Sequence, residues 1–258
     1  MRYLATIIGV VLSMPLFMLK KAFEINIRRQ DIQLTNYSDQ NPFRIFFISD
    51  IHRRKIPNRL MRQIDSEIDA VIIGGDLAER GVPLKRIQEN ITRLAKIGPL
   101  YYVWGNNDRE VGEQHIRKYI QNVGGTILEN EAICIINQKQ RVWIVGIDDV
   151  SAGLADIEKS FNNVPKEDMK IFVSHTPFVF SNVKEKYKLN VLLAGHTHGG
   201  QIRLGKWGFY QKGSLKKELD EATLISNGFG TSLIPLRYGA PAECHILSIK
   251  HKSSTNVH

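Results

Sequence analysis

The sequence predicts an α/β fold with one main domain, in which much of the β-structure is buried on both faces. Short apolar runs recur along the chain. Several of them are separated by stretches whose apolar residues lie three and four positions apart, as in amphipathic helices. Strands that alternate with helices form largely parallel sheets covered on both sides, and such strands are apolar throughout. The predicted strands are Phe43–Ile48, Val71–Ile73, Leu100–Val103, Val142–Val145, Ile171–Val173 and Val191–Leu193.

The remaining elements follow from the same periodicities. A loosely alternating stretch from Glu24 to Asn41 predicts a short strand before the main domain. Closely spaced apolar runs around Lys139 and Gln140 predict a hairpin and a mixed or second sheet. The simplest division is one folded domain at residues 42–250. The predicted helices are Asn58–Ile68, Leu84–Ile97 and Gly112–Val123.

Residues 1–22 predict a membrane anchor. The run from Tyr3 to Leu19 contains no charged residue. As a helix it would extend about 25 Å, at the short end of what crosses a bilayer. No small-residue cleavage site closes the run, which favours a retained anchor over a removed signal peptide; the alternative is a buried core helix. Because positive charge is denser after the run, at Lys20 and Lys21, the domain is expected at the cytoplasmic face of the cell membrane.

Composition and charge narrow the class of protein. With 43% hydrophobic and 24% charged residues, the chain has the composition of a globular protein. The formal net charge of +9 favours anionic partners, which are phosphate compounds, anionic lipid or nucleic acid. Cys134 and Cys244 stand in apolar runs without metal-type spacing, so they are predicted to be packed thiols.

Polar side chains stand directly after five of the predicted strands, where open α/β sheets bind their ligands. Any one of these motifs has an ordinary alternative, such as a turn or a hydrogen-bonded histidine, but five in succession indicate a site. Carboxylate, amide and imidazole donors suit manganese, iron or zinc. Seven donors exceed the needs of one tetrahedral ion and indicate two ions that share a carboxylate. The motifs are Asp50-Ile51-His52, Gly74-Gly75-Asp76, Gly105-Asn106-Asn107-Asp108, Ser174-His175 and Gly195-His196-Thr197-His198.

The order of these motifs resembles that of the calcineurin-like metallophosphoesterase superfamily, from Phe43 to Ile249. The GHTHGGQ segment, Gly195 to Gln201, resembles a membrane-associated bacterial branch of that superfamily. The resemblance implies a four-layer αββα sandwich of two mixed β-sheets flanked by helices. It also implies the metal ligands, in which Asp76 bridges two ions. By the same resemblance, the first ion is held by Asp50, His52 and His198, and the second by Asn106, His175 and His196.

The resemblance further implies a metal-dependent phosphoesterase. In such an enzyme a hydroxide bridging the two ions attacks a phosphodiester or pyrophosphate bond. Manganese is the expected metal, with iron or zinc as alternatives. The branch, together with the predicted anchor, implies a membrane-proximal or lipid-linked phosphorylated substrate. A nuclease is a further alternative, but the sequence shows no aromatic and basic platform for a single strand, so nucleic acid is not expected as a partner.

The chain departs from the superfamily at Asn107, where the resemblance leads one to expect a histidine that assists the leaving group. An asparagine amide donates a hydrogen bond but supplies no proton at neutral pH, and a general acid contributes about 10²–10⁴-fold. Three hypotheses remain open. The substrate has a stable leaving group; another residue supplies the proton, His115 and Asp108 being nearest in sequence; or the chain is a metal-loaded module that binds a phospho-ligand with weak or lost catalysis.

Three arginines are predicted to contact the substrate. Arg53 and Arg54 follow the first motif, and Arg237 lies in a later glycine-rich segment. Guanidinium groups bind phosphate oxygens through paired hydrogen bonds. The alternative for all three is an ordinary surface role without a ligand.

Overall fold

The structure is a computed structural model, and it describes residues 13–137 and 140–252. Within these residues, twelve strands form two six-stranded sheets. The first sheet has the strand order β1-β12-β2-β3-β4-β5. Its strands are β1 (Ile27–Leu34), β2 (Phe43–Ile48), β3 (Ala70–Gly74), β4 (Leu100–Val103), β5 (Thr126–Ile127) and β12 (Cys244–His251).

The second sheet has the order β10-β11-β9-β8-β7-β6. Both sheets are mixed. Strands β2 to β5 are parallel, whereas β12 is antiparallel to β2; β7, β8, β9 and β11 are parallel, whereas β6 and β10 pair antiparallel at the two edges. The predicted hairpin is confirmed as β6–β7. The strands are β6 (Glu131–Asn137), β7 (Gln140–Gly146), β8 (Met169–Val173), β9 (Val191–Ala194), β10 (Ser214–Lys217) and β11 (Ala222–Ile225).

Helices cover the outer face of each sheet. On the first sheet lie α2 (Asn58–Met61), α3 (Leu84–Leu94) and α4 (Glu113–Asn122), and on the second lie α5 (Ile157–Ser160) and α6 (Phe180–Lys186). A further helical stretch, α1, covers residues 13–22. Short 3₁₀ turns follow three strand ends, at Asp108–Val111, Pro177–Val179 and His198–Gly200.

The alternation of side chains along each strand builds the four layers. Ile45 and Phe47 of β2 pack into the core between the two sheets, whereas Phe46 and Ile48 pack against the outer helices. In the second sheet Phe172 likewise faces outward, towards α5 and α6. Because both faces of the central strands are covered, their sequences are apolar without interruption. The predicted αββα sandwich is confirmed.

Two elements differ most from the predictions, whereas α3 and α4 begin and end within three residues of the predicted bounds. The helix predicted from Asn58 to Ile68 ends at Met61, because the chain turns back to enter β3. The Asp69 carboxylate holds this turn by accepting a hydrogen bond of 2.6 Å from the backbone N–H of Arg44. In addition, β1 precedes residue 42, yet it pairs with β12 along its whole length and belongs to the first sheet. Both cysteines are free thiols, as predicted, with Cys244 buried and Cys134 half-buried.

The predicted membrane anchor falls only in part within the described residues. Residues 1–12 lie outside them, and residues 13–22 form α1. Among the residues that the structure describes, no helix has both the length and the apolar character to cross a membrane.

Candidate metal centre

The ends of five parallel strands in the two sheets meet at one edge of the sandwich and deliver all seven predicted ligands there. Backbone hydrogen bonds tie the loops together: the N–H of Asp50 donates to Gly75 O at 3.0 Å, and the N–H of Gly195 donates to His175 O at 3.0 Å. The second of these bonds joins the loops after β8 and β9. Loops fixed to one another in this way hold side chains from distant parts of the sequence in one geometry.

One group of donors comes from the loops after β2 and β9. Ligand atoms of Asp50, His52 and His198 lie within 4.8 Å of one another, and all three residues are buried. The Nε2 atoms of the two histidines are 3.1 Å apart. His198 Nε2 is 3.5 Å from Asp50 Oδ1. Two imidazole nitrogens that face each other at this distance suit a cation held between them and the carboxylate.

A second group comes from the loops after β4, β8 and β9. The side-chain oxygen Oδ1 of Asn106 is 3.1 Å from His175 Nε2 and 3.0 Å from His196 Nδ1. The two ring nitrogens are themselves 3.1 Å apart. Three atoms with lone pairs therefore converge on one point, as a second divalent cation requires.

Asp76 lies between the two groups. Its Oδ2 atom is 3.6 Å from His52 Nε2 in the first group and 3.4 Å from His175 Nε2 in the second. Ligand atoms of Asp76, Asp50 and His175 also lie within 4.8 Å of one another. This is the position that a carboxylate shared by two ions must occupy. The donor set thus fits the divalent metals that the sequence predicts.

The backbone at the site is strained. Asp50, His52, Asp76, His196 and His198 all have positive φ angles, between 49° and 70°. Left-handed conformations cost non-glycine residues about 1–3 kcal/mol each and cluster at functional sites. The fold supplies this energy in order to turn five ligand side chains towards one another.

Glycines beside the ligands allow the loops to approach each other. A Cβ atom added at Gly105 would overlap the backbone nitrogen and the carboxylate of Asp76, and one added at Gly195 would overlap the carboxylate of Asp50. Glycine at these two positions therefore leaves the space that the ligand carboxylates occupy.

Polar groups behind two of the histidine rings select which ring nitrogen faces the centre. His175 Nδ1 lies 2.9 Å from the carbonyl oxygen of Gly74, to which its N–H donates. His52 Nδ1 lies 3.0 Å from Glu79 Oε2. In both rings Nε2 is left to face the other ligands, and a carboxylate behind a metal-binding histidine raises its basicity. The sequence analysis did not identify Glu79 as a site residue. Its position three residues after the ligand Asp76, in the loop after β3, would have placed it near the centre.

The pKa values of the ligand side chains are shifted by burial and by the charges of neighbouring ligands. Burial alone would lower the pKa of His175, but the Asp76 and Asp50 carboxylates raise it to about 10. Burial opposes a low pKa at Asp76, yet the nearby His175 and His52 hold it well below its usual range. Burial lowers the pKa of His198 to about 3. His175 and Asp76 therefore form a charged pair, and a metal that binds them must displace a proton.

Asn107 contacts the bridging carboxylate with both of its donors. Its backbone N–H donates to Asp76 Oδ1 at 2.9 Å, and its side-chain amide donates to Asp76 Oδ2 at 2.7 Å. The residue is half-buried at the edge of the centre. A role of Asn107 towards the leaving group stays a prediction.

The other two proton donors considered from the sequence occupy different places. Asp108 is fully buried and accepts hydrogen bonds from the backbone N–H groups of Gly105 and Ala78, at 2.8 and 3.0 Å. Burial, followed by the charge of Asp76, raises its pKa to about 7. His115 lies exposed on α4, with its ring stacked on Tyr119. Asp108 is therefore a loop-ordering residue beneath the site, with no exposed surface.

Two of the three arginines predicted to contact the substrate are buried and bonded within the protein, and their contact with a substrate stays a prediction. Arg237 is fully buried, and Arg54 is 7% exposed. The guanidinium of Arg54 donates to the carbonyl oxygens of Phe229 and Glu24, at 2.5 and 2.8 Å. That of Arg237 donates to carbonyl oxygens of the surrounding loops. Both arginines use their donors inside the protein because glycine-rich loops leave buried carbonyls that need partners. Arg53 is exposed and pairs with Glu79, so its contact with a substrate stays a prediction.

Comparison with known proteins agrees with this geometry. Residues 43–200 match the family described as calcineurin-like phosphoesterase, and the chain belongs to this family. It is a metallophosphoesterase, that is, a hydrolase of phosphoric esters that uses divalent metal ions and acts on a phosphorylated small molecule.

Three relatives illustrate the family. The chain is 39% identical over 226 residues to the protein YpbG of Bacillus subtilis strain 168, covering 87% of each chain. It is 28% identical over 219 residues to the metallophosphoesterase YkoQ of the same organism, covering 77% of this chain and 80% of that one. It is 28% identical over 175 residues to the phosphodiesterase YaeI of Escherichia coli K12, covering 63% of each chain.

Proposed function

We propose that the protein hydrolyses a phosphodiester or pyrophosphate bond with two divalent ions, and that manganese is the metal. The substrate we propose is membrane-proximal or lipid-linked, and the folded domain acts at the cytoplasmic face of the cell membrane. The observation that carries the proposal is the position of Asp76 Oδ2 between His52 and His175, because a carboxylate shared by two donor groups serves a pair of ions.

The residues of the chain have separable tasks in this reaction. Two bound ions would supply the acidity of the attacking water and the positive charge that the phosphoryl oxygens need. Asp50, Asp76, Asn106 and the histidines would hold that charge in place, and Glu79 and Gly74 orient two of the rings. Water adds to phosphorus, and the bond from phosphorus to the leaving oxygen breaks. The Asn107 amide is a hydrogen-bond donor within the site, so the reaction favours leaving groups that depart without a proton.

A substrate and metal panel tests this proposal. The full chain is stripped with EDTA and reloaded with manganese, iron or zinc. Turnover is then measured on an aryl phosphodiester, an aryl phosphomonoester and a pyrophosphate-linked nucleotide. We expect manganese to restore turnover of the diester or the pyrophosphate. Asp76→Asn is expected to abolish it, whereas Asp65→Asn, a matched change at an exposed carboxylate paired with Arg29, leaves it unchanged.

Asn107 supports a second candidate function, a metal-loaded module that binds a phospho-ligand. Its side-chain amide is bonded to Asp76 at 2.7 Å, and asparagine carries no proton for a leaving group. Manganese binding by calorimetry with no turnover above Asp76→Asn on any of the three substrates would favour this module over the enzyme.

A further inference from the structure

A group of exposed apolar side chains lies on two loops next to the metal centre. Trp207 and Phe209 are 84% and 96% exposed in the loop after His198, and Leu233 is 95% exposed in the loop after β11. Leu204 and Ile234 are exposed beside them. We call these five residues the apolar rim. Large apolar side chains concentrated in this way on a folded protein mark a surface that binds a partner or a membrane.

Hydrogen bonds join the two loops into one surface. The side-chain amide of Gln201 donates to the carbonyl oxygens of Ser232 and Ile234, at 3.2 and 3.0 Å. Its Oε1 atom accepts from the backbone N–H of Ser232 at 2.9 Å. The backbone N–H of Arg203 donates to Tyr238 O at 2.8 Å. The rim is therefore held by the fold rather than carried on a loose tail.

Helix α1 is attached to the same surface. The backbone N–H of Arg237 donates to Met18 O at 3.1 Å, and the rings of Phe17 and Tyr238 meet edge to face at 6.4 Å. Leu16 of α1 is itself 68% exposed. Residues 3–12, directly before α1 in sequence, contain no charged residue. The rim is thus continuous with the end of the chain that the sequence predicts to enter a membrane.

The charge of this surface favours an anionic bilayer over another copy of the chain. Residues 13–22, 200–213 and 229–240 contain no aspartate or glutamate. Lys20, Lys206 and Lys212 are exposed within them. Lysines near an apolar surface are attracted to anionic lipid by about 1 kcal/mol each. In a symmetric dimer through the same surface, the lysines of both copies would repel one another.

A cavity of about 430 Å³ opens between the rim and the metal centre. Its walls include the ligand histidines His196 and His198 together with Phe209, Leu233 and Ile234. A phosphoester that enters from the rim would meet apolar side chains first and the ligand histidines last. This order suits a molecule whose phosphate is attached to an apolar chain.

We propose that the apolar rim inserts into the headgroup region of an anionic phospholipid bilayer and thereby presents the cavity at the level of the lipid phosphates. Trp and Phe side chains are typical of the membrane–water interface, and lysines beside them contact the anionic headgroups. Insertion is independent of catalysis; only the statement that a lipid phosphoester uses the cavity rests on the proposed function.

Trp207 provides the test, because the chain has three tryptophans and the other two are buried or half-buried. The full chain is mixed with vesicles of phosphatidylcholine and phosphatidylglycerol whose acyl chains carry bromine, a contact quencher of indole emission. We expect a blue shift in unbrominated vesicles and a loss of emission in brominated ones. Trp207→Phe is expected to remove the quenching, and Phe209→Ser with Leu233→Ser to reduce it. Quenching should weaken with salt and in vesicles without phosphatidylglycerol.

A matched control places a tryptophan at the opposite edge of the sandwich. Leu219 is 69% exposed and precedes β11, which runs parallel to β9 towards the metal centre. In a Trp207→Phe background, Leu219→Trp should not be quenched. Equal quenching at this position overturns the proposal, and so does a chain that sediments with vesicles while Trp207 stays unquenched. A shift in Trp207 emission with protein concentration and no lipid also overturns it, in favour of self-association.

The outcome is separable from that of the proposed function. The quenching of Trp207 emission does not depend on hydrolysis, so the Asp76→Asn variant should insert into the vesicles as the natural chain does. Conversely, Leu204→Ser should weaken the quenching of Trp207 but hydrolyse a soluble aryl phosphodiester at the natural rate, since Leu204 belongs to the exposed rim and does not line the cavity. A loss of that soluble activity together with the loss of quenching contradicts the separation of rim and centre.

Discussion

Replacing Arg237 with lysine is expected to destabilise the fold and to weaken metal binding. The buried guanidinium donates to Asn227 O at 2.7 Å, Ala240 O at 3.0 Å and Gly230 O at 2.6 Å. Longer bonds of 3.3 Å reach the carbonyls of His198 and Gly228. These five carbonyl oxygens belong to the loops that surround the metal centre.

The magnitude follows from the count of donors. Lysine has three N–H groups on one nitrogen, whereas arginine has five spread over a rigid fork. About two of the five carbonyls would therefore lose their partners, at about 1–3 kcal/mol each. We expect the free energy of unfolding to fall by about 2–6 kcal/mol. Arg237 Nη1 also holds the backbone of a ligand directly, since it donates to the carbonyl oxygen of His198, and loss of a group that positions a metal ligand typically weakens metal affinity by about 10–100-fold.

Two measurements check this prediction. Urea denaturation in EDTA, followed by circular dichroism, gives the free energy of unfolding, and calorimetry of the stripped protein gives the manganese affinity. Arg141→Lys, at an exposed position paired with Asp168 and away from the centre, is the control that should leave both values unchanged. If Arg237→Lys changed neither value and raised only KM, Arg237 would be a substrate contact and our reasoning from its burial would be wrong.

Three further predictions concern protons. Manganese binding to the stripped chain at pH 8 should release about one proton, because His175, with a pKa of about 10, is protonated there and must lose that proton to bind the metal. Calorimetry in buffers of different ionisation enthalpy measures the released proton. A binding enthalpy that is the same in all buffers would contradict the prediction. Burial lowers the His245 pKa to about 3 in the fold, against 6.5 unfolded. Stability should therefore decline from pH 6.5 towards pH 3, by about 2 kcal/mol at pH 5. In urea titrations with EDTA, His245→Gln should lack this part of the decline, and parallel curves for the two proteins would contradict it. Asn107→His should raise kcat/KM for alkyl phosphodiesters by up to about 10²-fold relative to aryl esters; an unchanged or lower ratio would count against our account of Asn107.

Much of the fold could be predicted because its signals are local. A strand covered on both faces must be apolar at every position, so β2, β3, β8 and β9 are visible as uninterrupted runs. The ligands were equally visible, since each stands in the loop directly after one of these runs or, for Asn106, after β4. Helix ends were less predictable, as α2 shows, because a turn such as the one at Asp69 depends on a partner in another strand.

The sequence by itself determined the α/β layering and the donor types placed at the strand ends, because periodicity and motif spacing are properties of neighbouring residues. The tertiary structure decided what Arg54, Arg237 and Asn107 do there. Each of the three has a partner 31 or more positions away, on a loop that meets its own only in the folded chain. An arginine in a glycine-rich segment can bind a ligand if its side chain is exposed, whereas a buried arginine bonds to buried carbonyl oxygens. Only the packing of the folded chain decides which of these two environments the arginine has.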